Sequence, residues 1–179
     1  MSQDAMAQNA IPRSRYFVFA ALAVLGCAFD LSTKHWVFQW RGGPHRNNVW
    51  WFWDGYVGIE TAVNTGALFG LGQDRVFLFS AISFVAIAGI VYWLFFAGGA
   101  RDLHLTFALG CIFGGILGNL YDRLGLWGQI GVRDWILFRY GDYTWPNFNV
   151  ADSLLVCGAG LLVWHAFRTP ALPGVQPTD

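Results

Sequence analysis

A chain of 179 residues with zero formal net charge, 55% hydrophobic residues and 12% charged ones has room for one domain and falls in the polytopic membrane class rather than among soluble globules. No Lys/Arg-rich block is present, which sets aside the electrostatic footprint of a nucleic-acid binder. Cys27, Cys111 and Cys157 lie inside apolar runs without paired spacing, and His35, His45, His104 and His165 lack the HExxH type of spacing. The expectation is therefore buried packing cysteines, no metal and no cofactor.

Residues 1–15 are polar and end with Arg13 and Arg15, and with the apolar run that follows they resemble a secretory signal peptide. Val24-Leu25-Gly26-Cys27 is similar to a lipobox, in which the cysteine is lipidated and becomes the mature N-terminus. The apolar run continues past Cys27 and three more spans follow, so the expectation is a first transmembrane helix over residues 16–37, close to the ~20 residues that cross about 30 Å of hydrocarbon. Its far end carries Asp30, Ser32, Thr33 and Lys34. Lys34 is expected to snorkel to the interface; the shorter Asp30 is either solvated at headgroup depth or part of a site.

Residues 38–75 are too polar to span and contain the breaker Arg41-Gly42-Gly43-Pro44. Trp36, Trp40, Trp50, Trp51 and Trp53 crowd this region, and tryptophan favours the membrane interface. The β-branched residues between 57 and 65 predict one or two short strands ending at Asn64-Thr65-Gly66. A second span is predicted over residues 76–97 and, after a tight Gly-rich connection, a third over 103–121, antiparallel to the second. Gly110, Gly114 and Gly118 recur every four residues on the third span, a face for close helix packing within the chain or between copies. Residues 122–147 form a second interfacial stretch with Trp127, Trp135 and Trp145, and a fourth span covers residues 148–167. The tail, residues 169–179, contains three prolines, Pro170, Pro173 and Pro177, and is expected to be disordered.

Four spans in up-down order put Asp30, Asn64, Asn119, Asp122, Asp134, Asn149 and Asp152 at one end of the bundle. Asn119-Leu120-Tyr121-Asp122 and Asn149-Val150-Ala151-Asp152 repeat one pattern, and residues three apart on a helix share a face. One reading is structural: Asn149 and Asp152 as a capping box, and Asp122 in a salt bridge with Arg123. The other is chemical. Two carboxylates close together in a low-dielectric site cannot both ionise easily, so one keeps a proton while the other stays anionic. Such a pair can activate water and protonate a leaving amine, as hydrolysis of a peptide bond requires. Ser32, Ser83 and Ser153 lack a Gly-x-Ser-x-Gly setting, which argues against a serine nucleophile. A non-enzymatic scaffold or small transporter with paired buried acids is the rival class; a transporter predicts polar residues along the whole depth of the bundle, and here they concentrate at one end.

Five motifs in order, Asp30-Leu31-Ser32-Thr33-Lys34, Asn64-Thr65-Gly66-Ala67, Gly118-Asn119-Leu120-Tyr121-Asp122-Arg123, Val132-Arg133-Asp134-Trp135 and Phe148-Asn149-Val150-Ala151-Asp152, resemble those of the lipoprotein signal peptidases, bacterial intramembrane aspartic proteases also called signal peptidase II. The resemblance implies four transmembrane helices with a small periplasmic β-cradle and an interfacial helix. It implies Asp134 and Asp152 as the catalytic pair, a choice that spacing alone leaves open between Asp134 and Asp122. Asn64, Asn119, Asp122, Arg123 and Asn149 would support or line the site, with Asp30 near it. The implied substrates are prolipoproteins carrying a diacylglyceryl cysteine, cleaved just before that residue in contact with membrane lipids. The implied location is the inner membrane, with the site near the periplasmic face and residues 1–15 and 169–179 cytoplasmic. Orientation comes from the resemblance, because Lys34, Arg41, Arg46, Arg75, Arg123, Arg133 and Arg139 all fall on the side it makes periplasmic. The chain departs from the usual pattern in Gly66-Ala67-Leu68-Phe69-Gly70, in Trp135 where Phe is more usual, and in a slightly long insert between Arg123 and Asp134. These departures concern loop geometry rather than the aspartates.

Overall fold

The computed structural model describes residues 10–44, 49–66 and 72–168. The expectations for the first nine residues, for the tail 169–179 and for the departure at 67–70 fall outside the described residues. Within them, four helices are long and apolar enough to cross a membrane. Helix α1 covers Arg13–Arg41, α2 covers Val76–Val91 and widens into a π turn over Tyr92–Phe96, α3 covers Leu103–Arg123 and α4 covers Val150–Arg168.

Exposed large apolar side chains such as Phe17, Phe77 and Phe167 occupy the outer faces of these helices, where a bilayer rather than water is the natural solvent. Helix α3 is the exception. In its most apolar stretch 61% of residues are buried, against 11% to 22% in the other three, so α3 is the central helix on which the others pack. Phe19, Ile90, Leu94, Leu109 and Ile116 belong to the apolar core, which reaches the polar end of the bundle at Ile116.

The glycine face resolves as an intramolecular one. A Cβ on Gly114 would meet the backbone carbonyl oxygens of Ala23 at 3.1 Å and Leu22 at 3.2 Å, and one on Gly110 would meet the Leu22 side chain. Gly118 faces the Asp30 carboxylate. Small residues thus let α3 approach α1 closely, as van der Waals packing in lipid requires. Gly115, on the adjacent face, lies against α4: a Cβ there would sit 2.6 Å from the Ala151 carbonyl oxygen.

At 29 residues, α1 is about 43 Å long at 1.5 Å per residue, more than the hydrocarbon core needs. Its last turns carry Trp36 and Trp40, whose rings stack 5.5 Å apart, and Trp40 meets Trp50 edge-on at 5.4 Å. Among the described residues the expected interfacial helix takes the form of these turns rather than a separate element.

The β element is larger than the one or two strands expected. Strands β1 (Trp50–Trp53), β2 (Val57–Asn64), β3 (Val132–Tyr140) and β4 (Tyr143–Phe148) form one antiparallel sheet in the order β1-β2-β3-β4. Residues 122–147, expected as an interfacial stretch, therefore supply half the sheet. The signal was present: Gly141-Asp142 between two runs rich in aromatic and β-branched residues is a two-residue hairpin link, and Gly141 takes the positive φ of 57° that such links use. In the register of β2 with β3, Asn64 lies opposite Val132 and Ala62 opposite Asp134.

These contacts predict a position-specific response to added bulk. Gly115→Ala must push α4 off α3 and should lower the thermal unfolding midpoint in detergent, with an overpacking cost of about 1–3 kcal/mol. Gly89→Ala in α2, where a Cβ meets nothing within 4 Å, should leave the midpoint unchanged or raise it slightly.

Candidate active site

Polar groups from α1, α3, β2, β3 and the start of α4 meet at one end of the bundle. The local reasons are legible in each element. Asn149 is the residue before α4, and its side-chain oxygen accepts the Asp152 backbone N–H at 2.9 Å while Asp152 Oδ2 accepts the Asn149 backbone N–H at 3.2 Å. This reciprocal pair is a capping box, so the structural reading of Asn149-x-x-Asp152 holds. The same two side chains also point into the site. Asn149 Nδ2 donates to Asp134 Oδ1 at 2.7 Å and to Asn119 Oδ1 at 3.1 Å.

Strand alternation places Arg133 and Asp134 on opposite faces of β3. Arg133 turns to α3, where its Nη2 meets Asp122 Oδ1 at 2.7 Å, its Nε donates to the same carboxylate and its backbone N–H donates to Asp122 Oδ2 at 2.9 Å. Asp122 therefore pairs with Arg133 rather than with Arg123, correcting the expectation from adjacency. Asp134 turns the other way and accepts from Asn149 and, at 3.2 Å, from Asn64 Nδ2. The Asn64 amide is oriented by its own oxygen, which accepts the Gly66 backbone N–H at 2.9 Å.

Asp30 and Lys34 are fully buried; neither reaches solvent, in contrast to the snorkelling expected of Lys34. The Lys34 ammonium lies 2.7 Å from Asp30 Oδ2 and 3.3 Å from Asp122 Oδ2, and donates to Asn119 Oδ1 at 2.9 Å. Asn119 Nδ2 in turn donates to Asp152 Oδ1 at 2.8 Å. Asp30 Oδ1 accepts the Ala151 backbone N–H at 2.9 Å, which satisfies another free donor in the first turn of α4. Lys34 and Arg133 were not among the candidate site residues. The i,i+4 spacing of Asp30 and Lys34 on a helix and the position of Arg133 beside Asp134 were the available signals.

A cavity of about 410 Å³ collects Asn64, Asn119, Arg123, Asp134, Asp152 and Trp145 on its wall. An apolar groove of about 480 Å³, lined by Phe138, Trp145, Phe148, Val156 and Cys157, adjoins it at Asp152. Of the sequence candidates, Asp134 and Asp152 both face the cavity, whereas Asp30 and Asp122 lie behind it. Burial and the nearby Asp152 carboxylate push the Asp134 carboxyl up from 3.8 to about 8, opposed by donors from Asn64 and Asn149 and by the Lys34 charge.

At the far end, Asp102 caps α3 by accepting the backbone N–H groups of His104 at 2.7 Å and Leu105 at 3.2 Å. His104 and His165 gather around it, three groups capable of ligating a metal that sequence spacing did not bring together.

The fold and the site define a multi-pass helical membrane protein in which a buried carboxylate, Asp134, and a half-buried one, Asp152, share one cavity, the minimum equipment of an acid–base hydrolase. Residues 22–168 match the family model described as Signal peptidase (SPase) II. The chain is 54% identical over 173 residues to the lipoprotein signal peptidase of Rhodopirellula baltica, covering 92% of this chain and 78% of that one. It is 37% identical over 144 residues to the lipoprotein signal peptidase of Symbiobacterium thermophilum, covering 80% and 90%. Among solved structures, a bacterial membrane enzyme determined by the in meso method at 2.3 Å superposes with a TM-score of 0.73 at 24% identity, over 87% of this chain and 94% of that one. The chain belongs to the signal peptidase II family, and it is a membrane protease.

Two measurements check this geometry. The native state holds a proton on Asp134 that an unfolded chain has released by neutral pH, so this stabilisation is full below about 3.8 and lost as pH rises through about 8. The unfolding midpoint should fall between about pH 5 and about pH 8.5, with a shallower slope in Asp134→Asn. Arg133→Met, which strands the buried Asp122 carboxylate beside Lys34 alone, should cost about 3–5 kcal/mol in chemical unfolding.

Proposed function

We propose that the chain removes the signal peptide from diacylglyceryl-modified prolipoproteins, cutting before the lipidated cysteine, with Asp134 and Asp152 as the catalytic pair. The observation that carries this reading is that these two carboxylates line one cavity, each held by amide donors. The pair shares one proton, which we take to rest on Asp134, whose carboxyl burial and the Asp152 carboxylate push up to about 8; Asp152 then serves as the base and accepts N–H groups from Asn119 and from the Asn149 backbone.

Hydrolysis then follows from the arrangement. Water attacks the scissile carbonyl carbon as Asp152 takes one of its protons, and Asp134 gives its proton to the carbonyl oxygen, forming a neutral gem-diol. In the second step Asp152 returns its proton to the leaving nitrogen. Asp134 takes a hydroxyl proton as the C–N bond breaks, and the pair is restored. Arg123 on the cavity wall balances the single negative charge of the pair. Asn64, Asn119 and Asn149 orient the carboxylates, and Asp30 and Asp122 support them from behind.

A substrate that is itself a membrane helix with acyl chains beside the scissile bond suits the apolar groove adjoining Asp152. We place the protein in the bacterial inner membrane with the site near the periplasmic face. Residues 38–75 and 122–147 are then periplasmic, and residues 1–15 and 169–179 cytoplasmic.

The test is cleavage of a diacylglyceryl-modified prolipoprotein by the purified protein in detergent. Asp134→Asn and Asp152→Asn, shown to be folded, should each lose at least about 100-fold in kcat, and the wild-type rate should fall on a basic limb near 8 as the shared proton leaves. Retained cleavage in both folded variants, with loss in Asp122→Asn, would move the pair elsewhere.

A further inference from the structure

An ammonium has three N–H donors and no acceptor, and Lys34 has three acceptors around it: Asp30 Oδ2 at 2.7 Å, Asn119 Oδ1 at 2.9 Å and Asp122 Oδ2 at 3.3 Å. Lys34 is completely buried, and Asn119 is 2% exposed, so water offers neither an alternative. The Asn119 amide has two possible orientations. In the one present, its oxygen faces the ammonium and its NH2 group donates to Asp152 Oδ1 at 2.8 Å. In the flipped one, NH2 would face the ammonium and the oxygen would face the Asp152 carboxylate, two repulsive contacts in place of two charge-assisted bonds. The Asn149 NH2 group, also aimed at Asn119 Oδ1, would be repelled as well.

We propose that Lys34 is a positioning residue for the hydrolysis. By fixing the Asn119 amide it ensures that Asp152 meets an N–H donor on Oδ1. This holds the carboxylate in one orientation toward the cavity and leaves its charge available to take a proton from water. The inference rests on the reading of Asp134 and Asp152 as the catalytic pair. Lys34 acts from α1, through one side chain of α3, on the first turn of α4. Its charge matters for a second reason: Asp30, Lys34, Asp122 and Arg133 form a buried cluster of two anions and two cations, so replacing Lys34 alone leaves two carboxylates against one guanidinium. The double variant Asp30→Asn/Lys34→Met keeps the cluster neutral, and the amide oxygen it places at position 30 can still accept the Ala151 N–H that Asp30 accepts now.

The experiment is a double-mutant cycle between that charge-balanced pair and Asn119→Ala, read as kcat and KM for prolipoprotein cleavage. The pair alone should lower kcat by about 100-fold with KM within about 3-fold, and adding it to Asn119→Ala should lower kcat no further. Additive losses, or a loss confined to KM, would overturn the proposal. Carboxyl carbon NMR in detergent supplies a readout that does not depend on turnover. The Asp152 resonance should shift in the charge-balanced variant by the same amount as in Asn119→Ala, and an unmoved Asp152 resonance would also overturn it. If the wild type itself never cuts, the catalytic reading fails, while the NMR comparison still decides whether Lys34 governs the surroundings of Asp152.

Discussion

Burying an ion costs several kcal/mol unless partners replace its water, and this protein buries four of them together. Lys34, Asp30, Asp122 and Arg133 are all at most 4% exposed, and their charges cancel. Each comes from a different part of the chain or reaches one: α1 gives Asp30 and Lys34, α3 gives Asp122, β3 gives Arg133, and Asp30 also holds the Ala151 N–H in the first turn of α4. None can leave without stranding another. The cluster therefore clamps the sheet to the helices and sets the height of α4 against α1. Gly118, which faces the Asp30 carboxylate, is the packing counterpart of this clamp, since a side chain there would occupy the space the carboxylate needs.

The polar groups facing the cavity depend on that clamp. Arg133 and Asp134 are consecutive on an extended strand, so anchoring one to Asp122 aims the other at α4. Asn149 then receives it. The hydrogen bonds that begin α4 and those that hold Asp134 share the Asn149 side chain, one through its oxygen and one through its nitrogen. Structural and chemical readings of the Asn149-x-x-Asp152 motif are thus not alternatives. The helix cap gives Asp152 a fixed position, and the fixed position makes it useful to the proposed chemistry.

The surroundings carry the same logic outward. Apolar side chains cover the lipid-facing surfaces, tryptophans sit where α1 leaves the bundle and meets β1, and an apolar groove reaches the cavity at Asp152. Beside it, burial and the neighbouring Asp152 carboxylate push the Asp134 carboxyl up to about 8, because its charged form is poorly solvated there.

The four spans were legible in the sequence because crossing hydrocarbon demands a long apolar run, and such a run is visible without knowing its neighbours. So was the gathering of acids and amides at one end, which follows from counting spans, and so was the capping box, which is local. The strands of residues 132–148 were less legible, because their aromatic content looked interfacial and only the Gly141-Asp142 link marked the hairpin. Tertiary structure alone decided the partners. Whether Lys34 turned outward to water or inward to Asp30, whether Asp122 took Arg123 or Arg133, and whether the glycine face met α1 or another copy all depend on which groups arrive within about 3 Å of one another. A hydrogen bond is short-ranged and directional, so residues 85 positions apart, such as Lys34 and Asn119, become partners only once packing has brought their helices together.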